Sequence, residues 1–288
     1  MTVGTALLQG AKLLEDAAII APRLTSEVLL LHALALHGVH GAERSWLYAH
    51  SGDELTEVAW LHFGRYLHER LKGAPTQYIT GSQEFYGREF RVTRDVLIPR
   101  PETEYVVETA LEIARDARRV LDAGTGSGAI AVTLRLETRT DAEVWASDIS
   151  LKALAVAREN ARKLGAAVNF VAGDLLAPFG DAAFDLIVSN PPYVPLKERD
   201  GLQREVRDYE PHVALFAGRD SAGRDGFEIY ERLLAGAARV LGPAGWIVLE
   251  LGYASLQGVR AMLDPAWRDA RVTEDLAGIP RVIAARLR

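Results

Sequence analysis

The chain has 288 residues, 49% hydrophobic and 25% charged, enough for one large soluble domain and a smaller one. Its formal net charge of −6 argues against broad, sequence-blind binding to nucleic acid, which needs a basic surface. There is no cysteine, which excludes disulfides, thiolate metal sites and cysteine nucleophiles.

At the N-terminal end, Lys12, Glu15 and Asp16 interrupt the first apolar stretch, so no secretory pattern is expected. The longest apolar run, 28–36, contains His32 and is too short to span a bilayer. A cytoplasmic monomer with no membrane segment is the expectation. Residues 1–73 should form a helical domain: Leu7, Leu8, Ala11, Leu14 and Ala18 recur at three-and-four spacing, and Ser26 is placed to cap a helix over 27–37. A further helix should carry Trp60, Phe63 and Leu67 and end at Gly73-Ala74-Pro75. His32, His37, His40, His50, His62 and His68 fall here without a zinc-like spacing, and no metal site is expected.

Residues 74–98 change character. Gln77-Tyr78-Ile79 and Glu89-Phe90-Arg91-Val92, separated by Gly81 and Gly87, predict a β-hairpin linker. From 99 to 288 strand and helix patterns alternate. Strands are expected at 119–123, 144–147, 169–172, 184–189 and 246–250, and helices at 101–115, 127–137, 151–164 and 227–241. Residues 271–273 and 281–287 leave no room for a crossover helix and should pair antiparallel. This is an α/β pattern: a doubly wound, mostly parallel sheet with an antiparallel terminal hairpin, preceded by a small helical domain.

Two motifs fall at strand ends. Val120-Leu121-Asp122-Ala123-Gly124-Thr125-Gly126-Ser127-Gly128-Ala129 runs from a strand through alternate glycines into a helix, and Asp148 ends the next strand about twenty residues on. Together they indicate a nucleotide-like cofactor held by Gly124, Thr125, Gly126, Ser127, Gly128 and Asp148. A dinucleotide fingerprint also fits Gly124, Gly126 and Ala129. Asp122 pulls against a pyrophosphate and suits a cationic sulfonium, and Asp174 offers an acceptor for an adenine amine, which favours S-adenosylmethionine. The second motif, Asn190-Pro191-Pro192-Tyr193, stops an apolar strand at two residues without a backbone N–H. It offers a side-chain amide, free carbonyls and an aromatic ring, a set suited to a planar –CO–NH2 or an aromatic –NH2. At the carboxyl edge of a doubly wound sheet it would face the cofactor. The charged segment 194–224 that follows is long enough to be functional and is expected to close over substrate.

With these residues in view, the chain resembles the PrmC/HemK family of class I methyltransferases. The resemblance rests on Gln77-Tyr78-Ile79-Thr80-Gly81, Glu84-Phe85-Tyr86-Gly87, Leu97-Ile98-Pro99-Arg100-Pro101-Glu102-Thr103-Glu104, the glycine loop, Asn190-Pro191-Pro192-Tyr193 and Tyr209-Glu210-Pro211. Asp225-Gly226, Glu250-Leu251-Gly252 and Asp275-Leu276-Ala277-Gly278 extend it along nearly the whole chain. It implies methyl transfer from S-adenosylmethionine to the glutamine of the Gly-Gly-Gln loop of bacterial peptide chain release factors, with the helical domain recognising the substrate. Asn190 and Pro191 would accept the two amide N–H bonds, Pro192 and Tyr193 would pack around the amide, and Arg100 and Glu102 would line the substrate region. Asn190 would also border the cofactor. No titratable general base is required, because transfer acidifies the nitrogen and the proton leaves to water. Leu175 departs from the tryptophan many relatives carry after Asp174. Adenine amino-methyltransferases and enzymes acting on a ribosomal-protein glutamine share Asn-Pro-Pro-Tyr, and a non-catalytic adaptor is a further alternative. Direct binding of nucleic acid is not expected from the acidic balance.

Overall fold

In a computed structural model, residues other than His40, 139–140, 219–225 and Asp264 are described; Asp225 of the Asp225-Gly226 motif and the end of segment 194–224 therefore lie outside them. The chain divides into two compact units, Met1–Gly81 with Gln203–Tyr209, and Ser82–Leu202 with Glu210–Arg288.

The first unit is helical: Val3–Asp16, Pro22–Ala35, Arg44–Ala49, Glu57–Leu71 and the short Thr76–Thr80. Leu7, Leu14, Leu30, Phe63 and Leu67 meet in its core; of the predicted stripe, Leu8 faces outward and Ala18 is exposed beyond the end of the first helix. Ser26 does not cap. The helix opens at Pro22, whose fixed φ suits a first helical position, so Ser26 is interior and its hydroxyl donates to the Leu7 carbonyl at 3.0 Å. Gln77-Tyr78-Ile79 is likewise helical, because Pro75 opens a helical turn there. Helix Arg204–Tyr209 belongs to this unit, with Arg70 Nη2 2.6 Å from Glu205 and Tyr209 Oη donating to the Lys72 carbonyl at 3.1 Å.

The second unit begins with the hairpin itself, formed by β1 (Ser82–Phe85) and β2 (Arg88–Arg91). Seven strands then build one sheet: β3 (Arg119–Ala123), β4 (Glu143–Asp148), β5 (Val168–Ala172), β6 (Phe184–Ser189), β7 (Leu241–Glu250), β8 (Trp267–Glu274) and β9 (Pro280–Leu287). Their order is β5-β4-β3-β6-β7-β9-β8. Strands β3 to β7 are parallel, and β9 lies antiparallel between β7 and β8, as the missing crossover requires.

Alternate residues of each central strand feed two cores. Val120, Leu186, Val188 and Val248 face one side, where Val106 and Val107 of helix Glu104–Ile113 and Ile130 and Leu134 of helix Ala129–Glu137 cover them. Leu121, Ile187, Ile247 and Leu249 face the other, under Tyr230, Leu233 and Ala237 of helix Glu228–Val240. Burial on both faces is why these strands read as unbroken apolar runs.

One buried polar contact fixes the end of β7. Tyr230 Oη donates to the Glu250 carbonyl at 2.8 Å and accepts the Gly252 N–H at 3.1 Å. Gly252 itself is required there: a Cβ would stand 2.6 Å from the Tyr193 ring. Tyr230→Phe strands both backbone groups in an apolar setting, a loss of roughly 1–3 kcal/mol. The expected outcome is a lower urea midpoint; an unchanged midpoint would remove this contact from the account of the β7 end.

Candidate active site

The carboxyl ends of β3, β4 and β6 converge on a cavity of about 1010 Å³. Such placement is general for open α/β sheets, and here it falls where the strand order reverses, between β3 and β6. Its wall includes Gly124, Thr125, Gly126, Ser127, Asp148, Asp174, Asn190 and Pro192. Gly128, Pro191, Tyr193, Arg100 and Glu102 are outside that wall. Leu196, His212 and Phe216 close another side, so the segment after Asn190 reaches the cavity as short helical turns rather than as an unstructured loop.

The glycine loop is held from both ends. Gly124 and Thr125 donate their backbone N–H groups to the Ser147 carbonyl at 2.8 and 2.9 Å, tying the loop to β4. Gly128 adopts φ +84, and a Cβ there would stand 3.1 Å from the Ala157 side chain, so only glycine lets helix Leu151–Leu164 approach. From that helix, buried Asn160 donates to the Ser127 carbonyl at 2.8 Å and to the Arg91 carbonyl at 2.9 Å, and accepts the Arg91 N–H at 2.8 Å. Loop, helix and hairpin thus share one amide, a link across distant sequence that no local pattern announces.

Asp148 Oδ2 accepts the Gly126 N–H at 2.9 Å and Oδ1 the Ser150 N–H at 2.8 Å. Burial raises its pKa, and these backbone donors oppose the rise. A carboxylate offers about four acceptor positions, so Asp148 keeps capacity for a ligand hydroxyl beside its backbone donors. Asp174 also reaches the cavity, but its Oδ2 already accepts from Arg232 Nη2 at 2.7 Å. Arg232, on helix Glu228–Val240, was not legible as a site residue; only its position in three dimensions recruits it. Leu175 lines the cavity too, with a left-handed φ of +49.

Asp122 lies beneath the loop instead of in the cavity wall. Its Oδ2 accepts from Thr125 Oγ1 at 2.6 Å and from the Ala131 N–H at 3.2 Å, while buried Oδ1 has no partner. Burial pushes its pKa up to about 7 against those two donors, with Asp148 adding to the rise. Asp148 and Asp174 in the cavity wall, against one arginine, disfavour a pyrophosphate and suit a cation with a hydroxylated sugar; Asp122, outside the wall, supports the loop instead. S-adenosylmethionine, a sulfonium carrying a ribose diol, is the cofactor that fits this set.

At the end of β6, Ser189 Oγ donates to the Ala123 carbonyl at 2.6 Å, and Asn190 follows in the cavity wall. Asn190 Nδ2 donates to Thr103 Oγ1 at 3.1 Å, and Thr103 Oγ1 donates to Glu250 Oε2 at 2.6 Å. Glu250 is buried at the end of β7, and burial pushes its pKa up to about 7. Glu250 stands out in the sequence as an acid ending a strand, in Glu250-Leu251-Gly252; Thr103 sits inside the 97–104 motif without a distinguishing signal. Tyr193 packs between Gly252 and the second core, and burial holds its phenol protonated well above the usual range. Arg100 is committed to Glu210, whose other oxygen accepts the Ile98 N–H at 3.2 Å. Glu102 lies 3.7 Å from Arg281.

The raised pKa of Asp122 has a consequence for stability. The folded protein holds a proton that the unfolded chain releases near its ordinary value of 3.8, so this group's contribution falls as pH rises from about 4 to about 7. Above 7 the full penalty is present. Asp122→Asn removes it, so the variant should gain about 2 kcal/mol on the parent between pH 5 and pH 8. Thermal unfolding at the two pH values measures this; an equal offset at both would contradict it.

Residues 103–205 match the family model for the methyltransferase small domain, and residues 5–81 match the PrmC N-terminal domain. A release factor glutamine methyltransferase of Koribacter versatilis is 43% identical over 289 aligned residues, which cover 99% of each chain. One from Nitratidesulfovibrio vulgaris is 42% identical, covering 95% of this chain and 91% of that protein. Among solved structures, a methyltransferase from Pyrococcus furiosus matches with a TM-score of 0.52 at 19% identity, over 70% of this chain and 90% of that one, a likeness of fold. The sheet order and the matched relatives agree with the fold class expected from sequence. At this identity and coverage, the chain belongs to the release factor glutamine methyltransferase family.

Proposed function

We propose that the chain transfers a methyl group from S-adenosylmethionine to the side-chain amide nitrogen of the glutamine in the Gly-Gly-Gln motif of peptide chain release factors. The observation that carries the reading is Asn190: it borders the same cavity as the glycine loop and Asp148, with its Nδ2 engaged by Thr103. That leaves Oδ1 on the opposite side of the amide as an acceptor.

When bound, S-adenosylmethionine supplies an electrophilic methyl group on a sulfonium and departs as the neutral thioether. Gly124, Thr125, Gly126, Ser127 and Gly128 would follow the cofactor with their backbone, Asp148 would accept from the ribose hydroxyls, and Asp174, with Arg232, would stand near the base. A glutamine nitrogen is a poor nucleophile because its lone pair is delocalised into the carbonyl. Asn190 Oδ1 and the Pro191 carbonyl would accept its two N–H bonds, holding nitrogen in line and stabilising the positive charge that develops there. One N–C bond forms as one S–C bond breaks, and the nitrogen then loses a proton to water. Pro192 and Tyr193 would stiffen this turn around the planar amide. Arg100 and Glu102 are proposed to shape the approach of the substrate, Arg100 through its pairing with Glu210.

The helical residues 1–73 are proposed as the recognition domain, 74–98 as the linker region and 99–288 as the methyltransferase domain. A cytoplasmic monomer acting on a protein partner, without direct nucleic-acid binding, is the setting this implies. No helix among the described residues is long and apolar enough to cross a membrane.

Asn190→Ala should lower kcat on release factor by ~10²–10³, the scale for one preorganised polar contact, with cofactor affinity little changed. Near-normal turnover in that variant would overturn the amide clamp.

A further inference from the structure

We propose that Thr103 and Glu250 are positioning residues which fix the Asn190 side chain with its oxygen toward the substrate amide. The inference rests on Asn190 being the amide acceptor, as proposed above. An asparagine amide is nearly symmetric in shape, and its two ends differ only in what they offer: oxygen accepts, nitrogen donates. If the side chain turned over, Nδ2 would face the glutamine N–H groups, donor against donor. Something must therefore favour one of the two orientations.

A hydroxyl carries one proton. Thr103 Oγ1 lies 2.6 Å from Glu250 Oε2, and an ionised carboxylate only accepts, so the threonine proton is committed to it. Thr103 Oγ1 then has only lone pairs to offer Asn190, at 3.1 Å, and the partner it can bind is Nδ2. Both Thr103 and Glu250 are buried, Thr103 at the cavity wall, which limits the competition from water for these positions. The charge on Glu250, read through one hydroxyl, selects the orientation of an amide on another strand.

Protonation of Glu250 removes the selection. A protonated Glu250 donates to Thr103, whose own proton is released to bond Asn190 Oδ1, and the reversed amide becomes equally satisfied. Burial pushes the Glu250 pKa up to about 7, which brings this change into an accessible range. The groups facing Glu250 are Glu102 and Arg100 from the segment before helix Glu104–Ile113, Arg281 from β9, and Tyr193 from the turn after β6. Tyr230, from helix Glu228–Val240, meets its backbone carbonyl. Glu102 raises the pKa and the two arginines lower it, but Arg281 is shared with Asp275 at 2.7 Å and Glu102 at 3.7 Å. Turnover should therefore rise as pH rises through about 7.

Full-length protein and full-length release factor provide the test. Thr103→Val keeps the shape and removes the hydroxyl; it should lower kcat about 10- to 100-fold, the loss of one buried hydrogen bond, with KM and S-adenosylmethionine affinity within about threefold. Thr103→Ser should restore kcat to within about threefold of the parent. Glu250→Gln should lose the rise of kcat through pH 7 that the parent shows. Parent-like kcat in Thr103→Val, failure of Thr103→Ser to rescue, or a parent-like pH profile in Glu250→Gln would each overturn the proposal. So would a loss of cofactor affinity matching the loss of kcat, which would mark a scaffold role. Asn190→Ala, assayed alongside, separates the two levels: if it is inactive while Thr103→Val is not, the clamp stands and the relay falls.

Discussion

The parallel pairing of β3 with β6 is the constraint on which the site depends. Val120, Leu121 and Asp122 stand in register with Leu186, Ile187 and Val188, so Ala123 and Ser189 end together, and the Ser189 hydroxyl closes on the Ala123 carbonyl at 2.6 Å. One step further, Gly124 turns toward helix Ala129–Glu137 and Asn190 turns into the two prolines. A slip of one residue would send each of these side chains to the opposite face of the sheet. Register is therefore what brings the glycine loop and Asn190, 66 residues apart in sequence, to one cavity.

Around that seam the protein tolerates buried acids that a purely structural sheet would avoid. Asp122 and Glu250 are both buried at strand ends, and both have pKa values pushed up to about 7 by desolvation. Each is tied to a threonine hydroxyl at 2.6 Å, Asp122 to Thr125 and Glu250 to Thr103. The two pairs serve different ends. Asp122 holds the start of the glycine loop and the Ala131 N–H from below, and Glu250 acts through Thr103 on Asn190. Buried acids with threonine partners flank the β3–β6 seam, which ties local stability to the geometry of the site.

Much of this architecture is legible from sequence because the signals are local. Helix Leu151–Leu164 is bounded by Ser150, whose hydroxyl accepts the Ala153 N–H at 3.2 Å, and by Gly165 at φ +72, as the cap residues announce. The central strands stand out because both faces are buried. What failed were short segments where local chemistry is ambiguous. Gln77-Tyr78-Ile79 has strand-like residues, yet the preceding proline opens a helical turn; Ser26 looks like a cap, yet Pro22 starts the helix earlier. The pairings of Thr103 with Glu250, Asn160 with Arg91 and Arg232 with Asp174 join residues far apart in sequence, and these links leave no mark in the linear pattern.

A strand-end amide acceptor beside a sulfonium cofactor is proposed to select a glutamine side chain on a protein. Methyl transfer from labelled S-adenosylmethionine tests it most directly, with purified release factor, the same factor with its Gly-Gly-Gln glutamine replaced, and duplex DNA as parallel substrates. Label in the intact release factor, and in neither of the other two, is the result predicted. Label in DNA, or undiminished label in the glutamine-replaced factor, would contradict the account.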